Sequence, residues 1–459
     1  MSTSKHGINM CEGSILPKIL LFALPLIASS ILQLLFNAAD MVIAGHCLGA
    51  NALAAVGSTS SLINLIVNVF LGLSVGTNVL VARFYGSKRH EDVFETVHTS
   101  VLLSLVCGVL LAFIGIFFAP KILVLMGTPN EILPLAVTYI RIYFLGMPVS
   151  MLYNFASAIL RAIGDTLRPL IILTAAGFLN LFCNIGFIII FKMGIEGVAY
   201  ATVLSQALSA LLLIICLARS DDCYKLHLNK LHINPDKFLQ ILRLGLPAGI
   251  QGAIFSISNV LIQSSVNSFG ASVVAGNTAA QNIEGFVYCS MNALHHTCLS
   301  FTGQNYGAKK FDRIRKVAIE CLGLVTAIGL CLGFVVFLFS PKLLGIYASA
   351  NDLDVVIKYG YLRLSIIMTT YFTCGTMDVL VGSIRGLGYS ILPTIVSLLG
   401  ACGLRILWIF TIFAGNHDLK VLYISYPVSW TITTLAHLIC FILIFRKLKR
   451  TFEEGFGTT

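Results

Sequence analysis

The chain has 459 residues, 57% of them hydrophobic and only 11% charged, with a mean hydropathy of +0.90. Soluble domains carry about twice that charged fraction, so an ordinary water-soluble protein is excluded and a polytopic membrane protein is implied. The net charge of +10 lies in short loops between apolar runs, with no basic stripe interleaved with aromatics, and this argues against a nucleic-acid partner.

Residues 1 to 14 are polar and mixed, without the apolar core of a cleavable signal, so the first span is expected to be the insertion signal. Apolar runs of about 20 or more residues predict twelve transmembrane helices. They lie near 17–44, 53–82, 96–119, 133–160, 167–191, 195–218, 239–268, 274–304, 315–340, 355–384, 389–414 and 420–445. The least apolar connection, 219–238, is expected to be a cytoplasmic linker. It separates an N-terminal six-helix lobe (1–218) from a C-terminal one (239–446), with a cytoplasmic tail at 447–459.

Lysine and arginine set the orientation. The amino terminus, the even-numbered connections and the carboxyl terminus hold 22 of them, the opposite side 5. Positive charge collects on the cytoplasmic side of short loops, so both termini are expected in the cytoplasm, with the protein in the plasma (inner) membrane.

The halves repeat each other. "FALPLIASS" at 22–30 resembles "LGLPAGIQG" at 244–252, "FYGSKRHEDV" at 84–93 matches "NYGAKKFDRI" at 305–314, and "FAPKILVLMGTPNE" at 118–131 matches "FSPKLLGIYASAND" at 339–352. "RAIGDTLRP" at 161–169 matches "RGLGYSILP" at 385–393, and the offset drifts only from 221 to 224. An even number of crossings per repeat makes the repeats parallel, related by an axis along the membrane normal. The expected fold is an all-α membrane protein with twelve helices in two parallel six-helix repeats around a central cleft.

No G-x-x-x-x-G-K-[ST] loop, H-E-x-x-H or paired aspartate-rich cluster is present, and the one G-x-S-x-G, "GLSVG" at 72–76, lies inside an apolar span and not on the strand-to-helix turn that would make its serine a nucleophile. An ATP-driven pump and an intramembrane enzyme are thereby disfavoured, which leaves a secondary transporter powered by an ion gradient. The 13 cysteines are scattered singly through apolar segments with no C-x-x-C pair, as expected of small buried apolar residues.

Of the 20 acidic residues, only Asp40, Glu284 and Asp378 fall well inside spans. An intramembrane carboxylate costs several kcal/mol unless something specific stabilises it. Asp40 stands fifteen residues past Pro25, about 22 Å along a helix, and its repeat counterpart is Ile262. An acid required by architecture would recur in both halves; this one does not, which favours function. Low dielectric disfavours its charged form, so it can exchange a proton, or hold Na⁺ if neutral oxygens complete a cage.

The stretches "FNAADMVIAGHCLG" (36–49), "RAIGDTLRP" (161–169), "NLFCNIGFIIIFKMGIEGVAYAT" (180–202), "FTGQNYGAKK" (301–310) and "RGLGYSILP" (385–393) together resemble the multidrug and toxic compound extrusion (MATE) family of cation-coupled exporters, over essentially the whole chain. The resemblance implies a cation site in which the first-helix acid meets polar residues of helices five and six, here Asp40, Asn180, Asn184 and Thr202. Many relatives carry a second aspartate where this chain has Asn184. One carboxylate makes a poorer Na⁺ cage, so H⁺ is the expected coupling ion, with Na⁺ at Asp40 as the alternative.

Asn180 and Asn184 share a helix face, and their architectural alternative is interhelical hydrogen bonding. Thr202 can instead bond its own backbone one turn back. Asn37, Glu284 and Asp378 are candidate substrate contacts, with pairing to a neighbouring polar helix as the alternative for Glu284. Pro25 is a candidate hinge, although its partner Pro247 also fits a structural kink. His295 and His296 are expected to be interfacial. Arg141 and Arg363, matched at offset 222, are expected to snorkel, and Arg405 has no explanation from sequence.

The expected function is export of amphipathic, cationic organic compounds in exchange for H⁺ or Na⁺, without cofactor, catalytic residues or enzyme activity, by a monomer. The alternatives are a flippase for a lipid-linked precursor, which would need a strongly basic cavity, and a membrane-embedded enzyme.

Overall fold

The computed structural model describes residues 7–347 and 353–456, and among them all regular structure is helical. The expected apolar runs become α1 (Leu16–Leu48), α2 (Ala50–Gly86), α3 (His90–Phe117), α4 (Leu133–Leu145 with Met147–Ala162), α5 (Leu167–Ile185, continued by a π-helical turn Gly186–Ile190) and α6 (Ile195–Ala218). The second set is α7 (Pro235–Asn267), α8 (Ala271–Gly307), α9 (Phe311–Gly345), α10 (Leu353–Thr370 with Phe372–Gly386), α11 (Ile391–Phe413) and α12 (Leu419–Phe456).

Nine of these are long and apolar enough to cross a bilayer as single helices. The two-limbed α4 and α10 qualify when each bent pair is taken as one span. The remaining one, α8, is 37 residues long but carries Asn277, Gln281, Asn282, Glu284 and Asn292 along its length, too polar a set for lipid on every side. Lipid offers the backbone no hydrogen bonds, so each spanning segment satisfies itself as a helix.

Backbone geometry repeats along with the sequence. Gly49 and Gly270, which join the first two helices of each half, have φ of 90° and 94°. Lys88 and Lys309 have φ of 58° and 59°, a left-handed conformation uncommon outside glycine. The limbs of α4 bend by 49° and those of α10 by 47°. In α4 the bend falls at Gly146, with Pro148 opening the second limb, where a missing N–H costs nothing. π-helical turns interrupt both α5 and its counterpart α11.

The described residues form two compact units: 7–9 with 24–253, and 10–23 with 254–347 and 353–456. The division runs through α1 and α7, and residues 219–238 lie within the first unit. That segment is no tether. His227 donates its backbone N–H to His98 Nε2 (3.1 Å), Asn234 N–H to Thr99 Oγ1 (3.1 Å), and Lys237 pairs with Asp92. The tail expected from 447 likewise continues α12 to Phe456, because Phe452 packs on Phe311 with ring centroids 5.3 Å apart; residues 457–459 lie outside the described residues.

In the first unit α2 meets α7 backbone to backbone. A Cβ at Gly72 would lie 2.1 Å from the Gly249 nitrogen, and one at Gly76 would lie 2.5 Å from the Ile241 oxygen. Small residues one turn apart permit this approach in a membrane, where van der Waals packing replaces hydrophobic drive.

His232, in the docked segment, sits with Nδ1 2.9 Å from the Lys230 carbonyl oxygen and Nε2 2.6 Å from Glu95 Oε2. These partners, the carbonyl first and the carboxylate second, raise its pKa above the usual 6.5. A raised pKa means that the protonated pair supports the docked segment fully below pH 6.5 and that this support is lost as pH climbs through the raised value. An imidazole NMR titration should place His232 above 6.5, and Glu95→Gln should bring it down; a midpoint insensitive to that change would refute the contact.

Candidate cation site in the first unit

Four helices of the first unit turn polar stripes toward one another. On α1 the stripe is Gln33, Asn37 and Asp40; on the second limb of α4, Ser150 and Asn154; on α5, Asn180 and Asn184; on α6, Thr202, Ser205, Gln206 and Ser209. Spacings of three, four and seven keep each set on one helix face. All but Asn184 line a cavity of about 110 Å³.

Gly177 sets the register. A Cβ there would fall 1.8 Å from the Phe36 ring, so only glycine lets that ring seat against α5. One turn beyond Phe36 on α1 stands Asp40. Asn180 and Asn184 stand one and two turns beyond Gly177 on α5.

Asn184 Nδ2 donates to Asp40 Oδ1 (2.6 Å) and to Asn180 Oδ1 (3.2 Å). Thr202 Oγ1 lies 3.4 Å from Asp40 Oδ2 and 3.0 Å from the Val198 carbonyl oxygen one turn back. Both sequence readings of Thr202 are thus present in one geometry: its hydroxyl proton can serve either acceptor. Asn180 and Asn184 are buried, while Asp40 is half-buried and borders the cavity.

This arrangement exposes one carboxyl group to a small chamber and surrounds it with neutral amide and hydroxyl donors. For a cation as ligand, the available oxygens are the Asp40 carboxylate, Thr202 Oγ1, Asn180 Oδ1 and Asn184 Oδ1, the last buried without a hydrogen-bond partner. The Asn184 amide, however, turns its N–H₂ toward the carboxylate, the orientation that serves an anion and opposes a cation in the same place.

Of the other candidates, Asn37 is exposed and borders the same cavity as Asp40. Helix α1 runs unbroken through Pro25, with Ser29 Oγ donating to the Pro25 carbonyl oxygen at 2.8 Å. Sequence reasoning passed over Gln33, Ser150, Asn154, Ser205, Gln206 and Ser209. Their helical spacing, which puts each set on one face as it does for Asn180 and Asn184, is the signal that could have found them.

Glu284 and Asp378 belong to the second unit and form no part of this site. Glu284 is not a free acid: Arg363 Nε and Nη2 donate to its two oxygens at 2.7 and 2.8 Å, with both side chains buried. Arg363 Nη1 donates to Asn277 Oδ1 (3.0 Å), which also accepts from the Tyr423 hydroxyl (3.2 Å). The snorkelling expected of Arg363 is therefore corrected, because a bidentate carboxylate inside the unit satisfies the guanidinium better than a reach to the interface. Its counterpart Arg141 is exposed.

His295, expected at the interface, is buried instead, its Nδ1 2.6 Å from the Asp378 backbone oxygen. One oxygen of Asp378 itself, Oδ2, is buried without a hydrogen-bond partner. Arg405 is buried too, donating Nε to Ser429 Oγ at 2.8 Å and lying over the Tyr426 and Trp430 rings at 4.3 and 5.2 Å. Aromatic faces stabilise such a cation.

Among known proteins, the MatE family model matches residues 25–186 and 247–411, one block in each repeat. The chain is 28% identical over 449 residues to the probable multidrug resistance protein YoeA of Bacillus subtilis (strain 168), covering 95% of this chain and 96% of that one. It is 29% identical over 399 residues to the probable multidrug resistance protein YpnP of the same organism, covering 86% and 88%. A crystal structure of MATE in complex with MaL6 shares the fold with a TM-score of 0.91 at 22% identity, covering 98% of this chain and 100% of that one.

Proposed function

Since the chain belongs to the MatE family, and the relatives named above bear the name probable multidrug resistance protein, we propose that it exports amphipathic organic cations in exchange for H⁺ taken up at Asp40. The observation that carries this reading is a single carboxyl group facing a polar cavity inside a helix bundle, hydrogen-bonded only by neutral donors.

Proton exchange there removes or restores one net charge. With Asp40 ionised, Asn184 Nδ2 and the Thr202 hydroxyl both serve the carboxylate. Protonation weakens these charge-assisted bonds and lets Thr202 return to the Val198 carbonyl oxygen. The polar contacts between α1, α5 and α6 thus differ between the two charge states, which is what biases a two-state bundle. Proton rather than Na⁺ coupling is supported by the lone carboxylate and by the donor orientation of Asn184, since hard cations call for more charged oxygens. The loop charge ratio of 22 to 5 supports a plasma-membrane protein with cytoplasmic termini.

Proteoliposomes given a pH gradient and, separately, a Na⁺ gradient test this. A pH gradient alone should drive accumulation of a fluorescent lipophilic cation. Transport driven by Na⁺ alone would overturn the coupling ion, and transport by neither would overturn the antiport.

A further inference from the structure

We propose that the second unit carries a binding site for the headgroup of an anionic phospholipid, built where the start of α9 meets the end of α12. Residues 307–320 hold five Lys and Arg against two acids, and residues 446–454 hold four against two. The ring of Phe311 packs between Phe445 and Phe452 at 6.2 and 5.3 Å, bringing the two basic segments together. Between them and residues 13–15 lies a cavity of about 710 Å³.

Topology alone does not account for this charge. The repeat-related stretch of the first unit, 86–99, lies at the same point in its half and holds two Lys and Arg against three acids. A charge serving only to orient helices would be distributed over both repeats, as it is for the end of α12, whose counterpart 224–232 holds two lysines and no acid; the excess at the start of α9 is confined to one.

The cations around the cavity divide by task. Lys310 Nζ donates to the Cys11 carbonyl oxygen at 2.9 Å. Arg313 holds the carbonyl oxygens of Met10, Glu12 and Gly13 at 2.9, 2.9 and 2.7 Å. Those two fix the wall formed by the amino-terminal segment. Lys309, Lys316 and Lys449 also line the cavity and stay at least partly solvent-accessible. Lys309 lies over the Phe452 ring at 5.4 Å, and Lys449 reaches Asp312 at 3.4 Å, whose side chain is 89% exposed. Glu453, which also lines the cavity, is the second partner of Lys449 at 3.8 Å, and a phosphodiester can replace both acids with little loss, because exposed pairs contribute little.

Further into both helices the surface becomes apolar and exposed, at Ile319 on α9 and at Ile439 and Leu443 on α12. Basic groups at the end of a span above an apolar flank match the two ends of an anionic lipid. A soluble phosphate would use only the first.

Native mass spectrometry of the full chain from nanodiscs of equal phosphatidylglycerol and phosphatidylcholine tests the site. The wild type should retain phosphatidylglycerol by a factor of about five or more. The triple variant Lys309→Gln, Lys316→Gln, Lys449→Gln should lose that preference while melting like the wild type, and Lys88→Gln with Arg89→Gln should keep it. Equal retention of both lipids, a preference surviving the triple change, or displacement of the lipid by millimolar glycerol phosphate would each overturn the proposal.

Discussion

Asp40→Asn is expected to reduce export of a lipophilic cation from loaded cells to the level of cells lacking the protein, while the variant inserts and melts like the wild type. The side chains are nearly the same size. An amide oxygen can still accept from Asn184, and the cavity bordered by Gln33, Asn37 and Ser150 keeps its shape. What the amide cannot do is bind and release a proton, so the two charge states collapse into one and the gradient no longer biases the bundle. Efflux at wild-type rate in Asp40→Asn would remove this residue from the coupling step. Impaired folding instead would mark the Asp40–Asn184 contact as architectural.

The second large effect is on stability. Arg363→Met leaves the Glu284 carboxylate buried with no cation and deprives Asn277 Oδ1 of one of its two donors. Removing one partner of a buried ion pair costs about 3–5 kcal/mol. The double variant Arg363→Met with Glu284→Leu should recover most of that loss, since replacing a buried pair with apolar groups of similar volume is often neutral. Thermal unfolding in detergent of both singles and the double completes the cycle. A single-variant cost within about 0.5 kcal/mol, the range of ordinary surface changes, would show the pair to be dispensable and return Glu284 to the candidate substrate contacts.

The two predictions rest on residues that differ in how they could be found. Asp40 stood out in the sequence because lipid makes any ionisable group conspicuous against an apolar run and because its repeat counterpart is Ile262. Its partners Asn180, Asn184 and Thr202 came from resemblance to a family, and the structure brings them together at hydrogen-bonding distance. Glu284 looked equally conspicuous, and yet the structure gives it to Arg363, 79 residues away. Nothing local to "AAQNIEGF" marks which arginine will face it.

The sequence by itself determined the helices and their doubling. Each span satisfies its own backbone bonds, so an apolar run of sufficient length is already a structural statement, and only the ends drift. Helix α12 overran its apolar run because Phe452 found Phe311. The tertiary structure alone decided which buried charges are spent on one another, that residues 219–234 dock on α3, and that the compact units divide inside α1 and α7. Those outcomes depend on groups distant in the chain meeting in a medium of low dielectric. There an unpartnered charge is so costly that pairing, and not residue type, determines whether an acid is available for function.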